Sequence, residues 1–146
     1  MKGSIRLKDI KKSTLTVVFK GNTYEVDLDK ELSIDPNLID SSLSNSPSNY
    51  ALLCMIRDRL VNKRDSLEKE KDLAYSKAWI YYKESNSRIS NEMASHKAEV
   101  NPAYQGALKR YMKASMKASK MISLCRAYEN RESILRTISA NLRNQH

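Results

Sequence analysis

Lys109, Lys113, Lys117 and Lys120 recur at intervals of four, four and three, in a stretch with no carboxylate between Glu99 and Glu129. On a helix this spacing aligns four ammonium groups along one face. Such a row matches the phosphates of a nucleic-acid strand, with affinity coming chiefly from counterion release and little reading of base sequence. The row is embedded in a tandem tetrad, Met112-Lys113-Ala114-Ser115 and Met116-Lys117-Ala118-Ser119, and Arg110 adds a further cation beside it. A solvated lysine face is the plain alternative, and the missing acids favour a polyanion partner.

A second group of candidates is aromatic. The chain holds eight Tyr against one Phe and one Trp. Tyr75, Trp79, Tyr81 and Tyr82 cluster near Lys71, Lys77 and Lys83. Aromatic faces beside cations stack bases in sequence-tolerant single-strand binders, at about 1–3 kcal/mol per base. Tyrosines on helices also serve as interface or core residues with the hydroxyl at the rim. The candidate nucleic-acid contacts are therefore Lys71, Lys77, Trp79, Tyr82 and Lys83 together with Lys109, Arg110, Lys113, Lys117 and Lys120.

Catalysis finds no support. His96 and His146 are the only histidines, and neither stands with Cys, Asp or Glu at ligand spacing, so no metal site or base-activated nucleophile assembles locally. Gly3, Gly21 and Gly106 are too far apart for a phosphate-cradling loop. The expectation is a non-enzymatic protein without metal or cofactor. Cys54 and Cys125, 71 positions apart with no CxxC partner, are expected as small core residues.

The elements that must position these residues follow from patterning. Leu, Ile, Val and Phe make up 31 of 146 residues, close to the level at which charged chains stay disordered, so order requires periodic stripes or partner chains. The net charge is +9, of which +7 falls on residues 101–146. No run has the length of a signal peptide or membrane span, so a cytoplasmic protein without membrane contact is expected. Residues 1–32 read as a β-rich extension, with two alternating runs between Leu15 and Leu28 around a Gly-Asn turn forming a hairpin. Residues 33–49, with six serines and both Pro36 and Pro47, read as a connector with one helical turn after Asp35-Pro36.

Residues 50–146 read as a helical DNA-binding and oligomerisation domain. A first long helix should start at Ser46, with Pro47 in its first turn, and run to about Lys83. Leu53, Leu60, Leu67, Ala74 and Tyr81 recur every seven residues, flanked by Tyr50, Ile56, Leu73 and Ala78, a narrow stripe of coiled-coil type. Arg64 with Glu68 and Asp65 with Lys69 are spaced as i, i+4 pairs. Residues 85–100 read as a polar bend, helical in its second half. Asn101 then caps and Pro102 opens a second long helix with Leu108, Tyr111, Ser115, Ala118, Ile122 and Cys125 on one stripe. The fold class expected is mainly α: two long antiparallel helices joined by a polar bend, an N-terminal β-hairpin, and an oligomeric assembly.

The order of features over residues 37–143 resembles the UvsY family of phage recombination mediators. The matching text is Leu38-Ile39-Asp40-Ser41-Ser42, the leucine spacing that follows, and Ala74-Tyr75-Ser76-Lys77-Ala78 before Tyr81-Tyr82. It continues with Asn91-Glu92-Met93 and with Cys125-Arg126-Ala127-Tyr128 ahead of Ile134 and Ile138. The resemblance implies a single-stranded DNA-binding accessory that helps load a RecA-type recombinase in place of single-strand-binding protein. Scarce core formers and the open edges of the hairpin separately lead to the expectation of a closed homo-oligomer larger than a dimer. The resemblance also implies DNA contact at a Lys-Ala-Arg element before the paired tyrosines. Lys77 and Ala78 match that element, and Trp79 stands where arginine would be. The β-rich first 30 residues have no counterpart in the family pattern and are expected to serve assembly or a partner particular to this chain. The competing reading is a helical structural or scaffold protein, such as a virion or assembly component, with solvated lysines and no DNA binding.

Overall fold

The computed structural model describes residues 14–27, 30, 32–35 and 39–144. The basic segment 1–12 and the helical turn expected after Asp35-Pro36 lie outside the described residues. Thr14–Phe19 (β1) and Asn22–Asp27 (β2) pair antiparallel, with Thr14 opposite Asp27 and Phe19 opposite Asn22. The two-residue turn is Lys20-Gly21, one position earlier than the Gly-Asn pair expected, and both of its residues have positive φ, 49° and 80°. Tight hairpin turns require this left-handed backbone because its twist matches that of the strands, and Gly21 adopts it without steric cost. Strand alternation places Tyr24 and Val26 on one face. Val26 is buried on that face, and Val18 on the other is exposed.

Ile39–Ser85 forms α1, Asn91–Glu99 α2 and Pro102–Arg143 α3. The first helix therefore begins well before Ser46 and carries Pro47 in its interior. The connector is correspondingly shorter than residues 33–49, since 39–49 are helical. Serine, asparagine and proline all disfavour this outcome locally. Tertiary contacts override them: the Tyr50 ring stacks on Tyr128 with centroids 6.0 Å apart, and Leu53 and Ile56 are buried.

The bend divides as its polarity suggests. Residues 86–89 turn, and Ser90 then caps α2 by accepting from the Met93 amide at 3.1 Å. Asn101 caps α3, its Oδ1 accepting from Ala103 at 3.0 Å and Tyr104 at 3.4 Å. Each side chain satisfies amides that the first helical turn leaves without partners.

By internal contacts the chain forms two units, residues 1–56 with 120–146, and residues 57–119. The two units have different interiors. The first buries Val26, Leu53, Ile56, Met121, Leu124, Cys125, Tyr128 and Leu135. In it Tyr50 donates a hydrogen bond to Glu129, and Arg131 Nε donates to the Ser33 carbonyl at 3.0 Å. In the second, every buried side chain among the described residues is an alanine: Ala78, Ala94, Ala98, Ala107, Ala114 and Ala118. Methyl groups let helix backbones approach closely but bury little area each. Within this unit Glu70 and Lys71 face Arg110 and Tyr111, and Tyr75 meets Tyr104, so α1 and α3 run antiparallel there.

The inward stripe of α3 advances by threes and fours, from Ala107 and half-buried Tyr111 through Ala114, Ala118, Met121 and Cys125 to Tyr128, and Leu135 resumes it two turns on. It matches the expected stripe at Tyr111, Ala118 and Cys125. At Leu108, Ser115 and Ile122 it runs one residue earlier, and those three are half-buried. On α1 the inward stripe includes Leu60, Arg64, Leu67, Lys71, Ala74 and Ala78, whereas Leu73 and Tyr81 are exposed. The step after Ala78 is again four residues, as it is from Ala74, so Tyr82 and not Tyr81 continues the inner side.

Candidate nucleic-acid interface

Lysine placement on α3 follows from the helix period. Since Ala107, Ala114 and Ala118 face inward, residues 109, 113, 117 and 120 must point away from them. All four lysines are exposed, and none takes part in an ion pair among the described residues. Lys109, Lys113 and Lys117 belong to the alanine-centred unit, and Lys120 opens the return of α3 into the other. Arg110 stands at the edge of this face, its guanidinium 3.9 Å from Glu70 and 60% exposed. A pairing so long and so open leaves the charge available to a ligand.

Tyr82, Lys83, Trp79 and Lys71 are engaged within the protein. The Lys83 ammonium donates to the Ile89 carbonyl at 2.8 Å and lies 5.9 Å from the Trp79 ring. The Tyr82 hydroxyl accepts from Asn101 Nδ2 at 3.4 Å, and Lys97 lies 5.8 Å from its ring. Both residues thus fasten the end of α1 to the bend and to the start of α3.

Lys71 lies over the Tyr111 ring at 4.6 Å and pairs with Asp72 at 3.2 Å, with 18% of its side chain exposed. Desolvation pulls its pKa down, but Asp72, Glu68 and Tyr111 outweigh that and hold it above the ordinary lysine value. Lys71 is the last of three basic-acidic neighbours at heptad spacing, after Arg57-Asp58 and Arg64-Asp65. Arg64 pairs with the adjacent Asp65 at 2.7 Å instead of the expected Glu68. In this repeat the stems of Arg64 and Lys71 lie along the helix seam while their heads remain at its edge.

Lys77 is exposed and outside every described ion pair. One turn further along the same face, Tyr81 is 63% exposed with its ring edge-on to Tyr82. Tyr81 is therefore the aromatic best presented beside Lys77, a role the sequence alone assigned to Trp79 and Tyr82. The seven-residue spacing of Leu60, Leu67, Ala74 and Tyr81 carries no signal of it.

Among the described residues no cluster of three His, Cys, Asp or Glu could hold a metal ion. His96 sits exposed between Glu92 at 4.0 Å and Glu99 at 3.7 Å. A cleft of about 580 Å³ in the first unit is lined by Pro47, Tyr50, Glu129, Glu132, Arg136 and Thr137 among others. It contains none of the candidate nucleic-acid residues. Among the described residues no helix is long and apolar enough to cross a membrane. No protein-family model, curated protein or solved structure matches the chain.

Proposed function

We propose that this chain is a non-enzymatic single-stranded DNA-binding protein whose contact surface is the outward lysine face of α3. The observation that carries this reading is the exposure of Lys109, Lys113, Lys117 and Lys120, outside every described ion pair, in a segment without acids. Four aligned ammonium groups release counterions from a phosphate backbone and read no base edges. Lys77 and Tyr81 on α1 extend the surface with a cation and an open ring. The resemblance to recombination mediators gives the binding its role: helping a RecA-type recombinase displace single-strand-binding protein, in the cytoplasm where such filaments form.

A homo-oligomer larger than a dimer suits this role, because weak contacts gain strength by repetition. The alanine interior supports it, since large apolar side chains in the same unit, Leu73 and Ile80 on α1 among them, face outward. Closed symmetry would cover such side chains in every copy. The same two residues also favour a helical scaffold protein without DNA binding, and behaviour toward DNA separates the readings.

The test compares binding to single-stranded and duplex oligonucleotides at two salt concentrations, with molar mass by light scattering. Replacing all four lysines by alanine should flatten the slope of log affinity against log salt by about 3, at about 0.7 per single-strand phosphate contact. An unchanged slope in a folded quadruple variant refutes the lysine face, and a monomer mass at micromolar concentration refutes the assembly.

A further inference from the structure

The lysine face of α3 has an apolar edge. Met112 and Met116 are 55% and 62% exposed, and the tandem tetrad sets them one helical turn apart, each preceding a lysine. At 100° per residue the two thioethers lie along one flank of the Lys109, Lys113, Lys117 row, about 6 Å from each other along the axis. Leaving two long apolar side chains in water beside cations, in a unit whose interior is filled with alanine, reverses the usual distribution.

We propose that Met112 and Met116 form a base-contacting edge, so that a single strand lies along α3 with its phosphates on the lysines and its unstacked bases against the thioethers. The inference rests on the lysine-face reading and adds the source of strand preference. Charge complementarity selects the occupant, because the neighbouring cations and the absence of acids call for a polyanion. The methionines then call for one that also offers open aromatic faces. A duplex offers its phosphates to the lysines but keeps its bases stacked inside. A single strand offers both. Methionine suits such a surface, since its flexible, polarisable thioether makes favourable contact with aromatic rings of any shape.

The experiment uses the full chain, with circular dichroism to confirm that helical content is retained. Binding of labelled oligothymidylate and of duplex DNA is measured for the native chain and for a Met112→Ser, Met116→Ser double variant. The expected result is about a three- to tenfold loss of affinity for the single strand, with duplex binding and the salt slope unchanged. In the native chain labelled with ¹³C at the methionine methyls, the two resonances should move upfield on adding oligothymidylate, as ring currents require of a methyl over a base. Equal losses on single strand and duplex, no loss on the single strand, or unmoved methyl resonances would overturn the proposal. So would stronger methionine-dependent binding to phosphatidylserine vesicles than to oligothymidylate, which would make the face a lipid-docking surface. A native chain that binds neither form of DNA refutes the lysine face itself, a failure distinct from that of the methionine edge.

Discussion

The Tyr50 hydroxyl donates to the Glu129 carboxylate while its ring stacks on the neighbouring Tyr128. This joins the early part of α1 to the first acidic residue after the long basic stretch of α3. Glu129 foremost, then Cys54, raises the pKa of the Tyr50 phenol above its ordinary value of 10.0. A raised native pKa means that the folded chain holds this proton more tightly than the unfolded one. The resulting stabilisation is complete below about pH 10 and fades as pH rises through the higher native value. The difference in urea midpoint between native protein and Tyr50→Phe should therefore be constant near neutrality and shrink in strong alkali. A difference that is flat across that range would show that the contact holds no proton.

Pro47 stands inside α1 without an amide for the helix ladder. Its replacement by alanine should raise stability, by up to about 3 kcal/mol if the surrounding turn is otherwise regular. Chemical denaturation measures this directly, and a less stable Pro47→Ala variant would mean that the ring's contacts in the first unit outweigh the lost bond.

Lys71 separates packing from binding. With its ammonium over Tyr111 and paired to Asp72, Lys71→Ala should cost about 0.5–1 kcal/mol of stability. The salt slope of DNA binding should stay where it is, in contrast to the α3 lysine variants. A flattened slope with unchanged stability would return Lys71 to the binding surface.

Ala118 has no exposed surface, so Ala118→Leu should cost about 1–3 kcal/mol through overpacking. Ala103→Leu, at an exposed position of the same helix, should stay within about 0.5 kcal/mol of the native protein. Equal effects at the two sites would contradict the close alanine packing of the second unit.

Trp79 is half-buried beside Lys83, and it is the only tryptophan, so its fluorescence reports on one place. Oligonucleotide should quench it if the strand reaches the end of α1, and Tyr81→Ala should then weaken binding more than Trp79→Phe. Lys77→Ala should weaken binding only modestly, as one screened contact per protomer. Absence of quenching would confine the strand to α3.

Much of this molecule is settled by local rules acting over a few residues. The Asn101-Pro102 start of α3, the Ser90 cap and the outward lysines all follow from side chains reaching the nearest amides or from a 3.6-residue period. Those interactions are visible in the order of residues because their partners lie within a turn. Contacts between distant segments decided the rest. The serine-rich stretch from Ile39 to Asn49 is helical because Tyr50, Leu53 and Ile56 beyond it have partners and buried places in the tertiary structure. Tyr81 faces solvent although it continues the seven-residue spacing of Leu60, Leu67 and Ala74, because Tyr82, hydrogen-bonded to Asn101, takes the inner position. Lys71, Tyr82 and Lys83 look like free binding residues in sequence, yet their heads are occupied by Tyr111, Asn101 and Ile89. Charge and type give the chemistry a side chain can perform, and only the positions of its neighbours decide whether it is available to perform it.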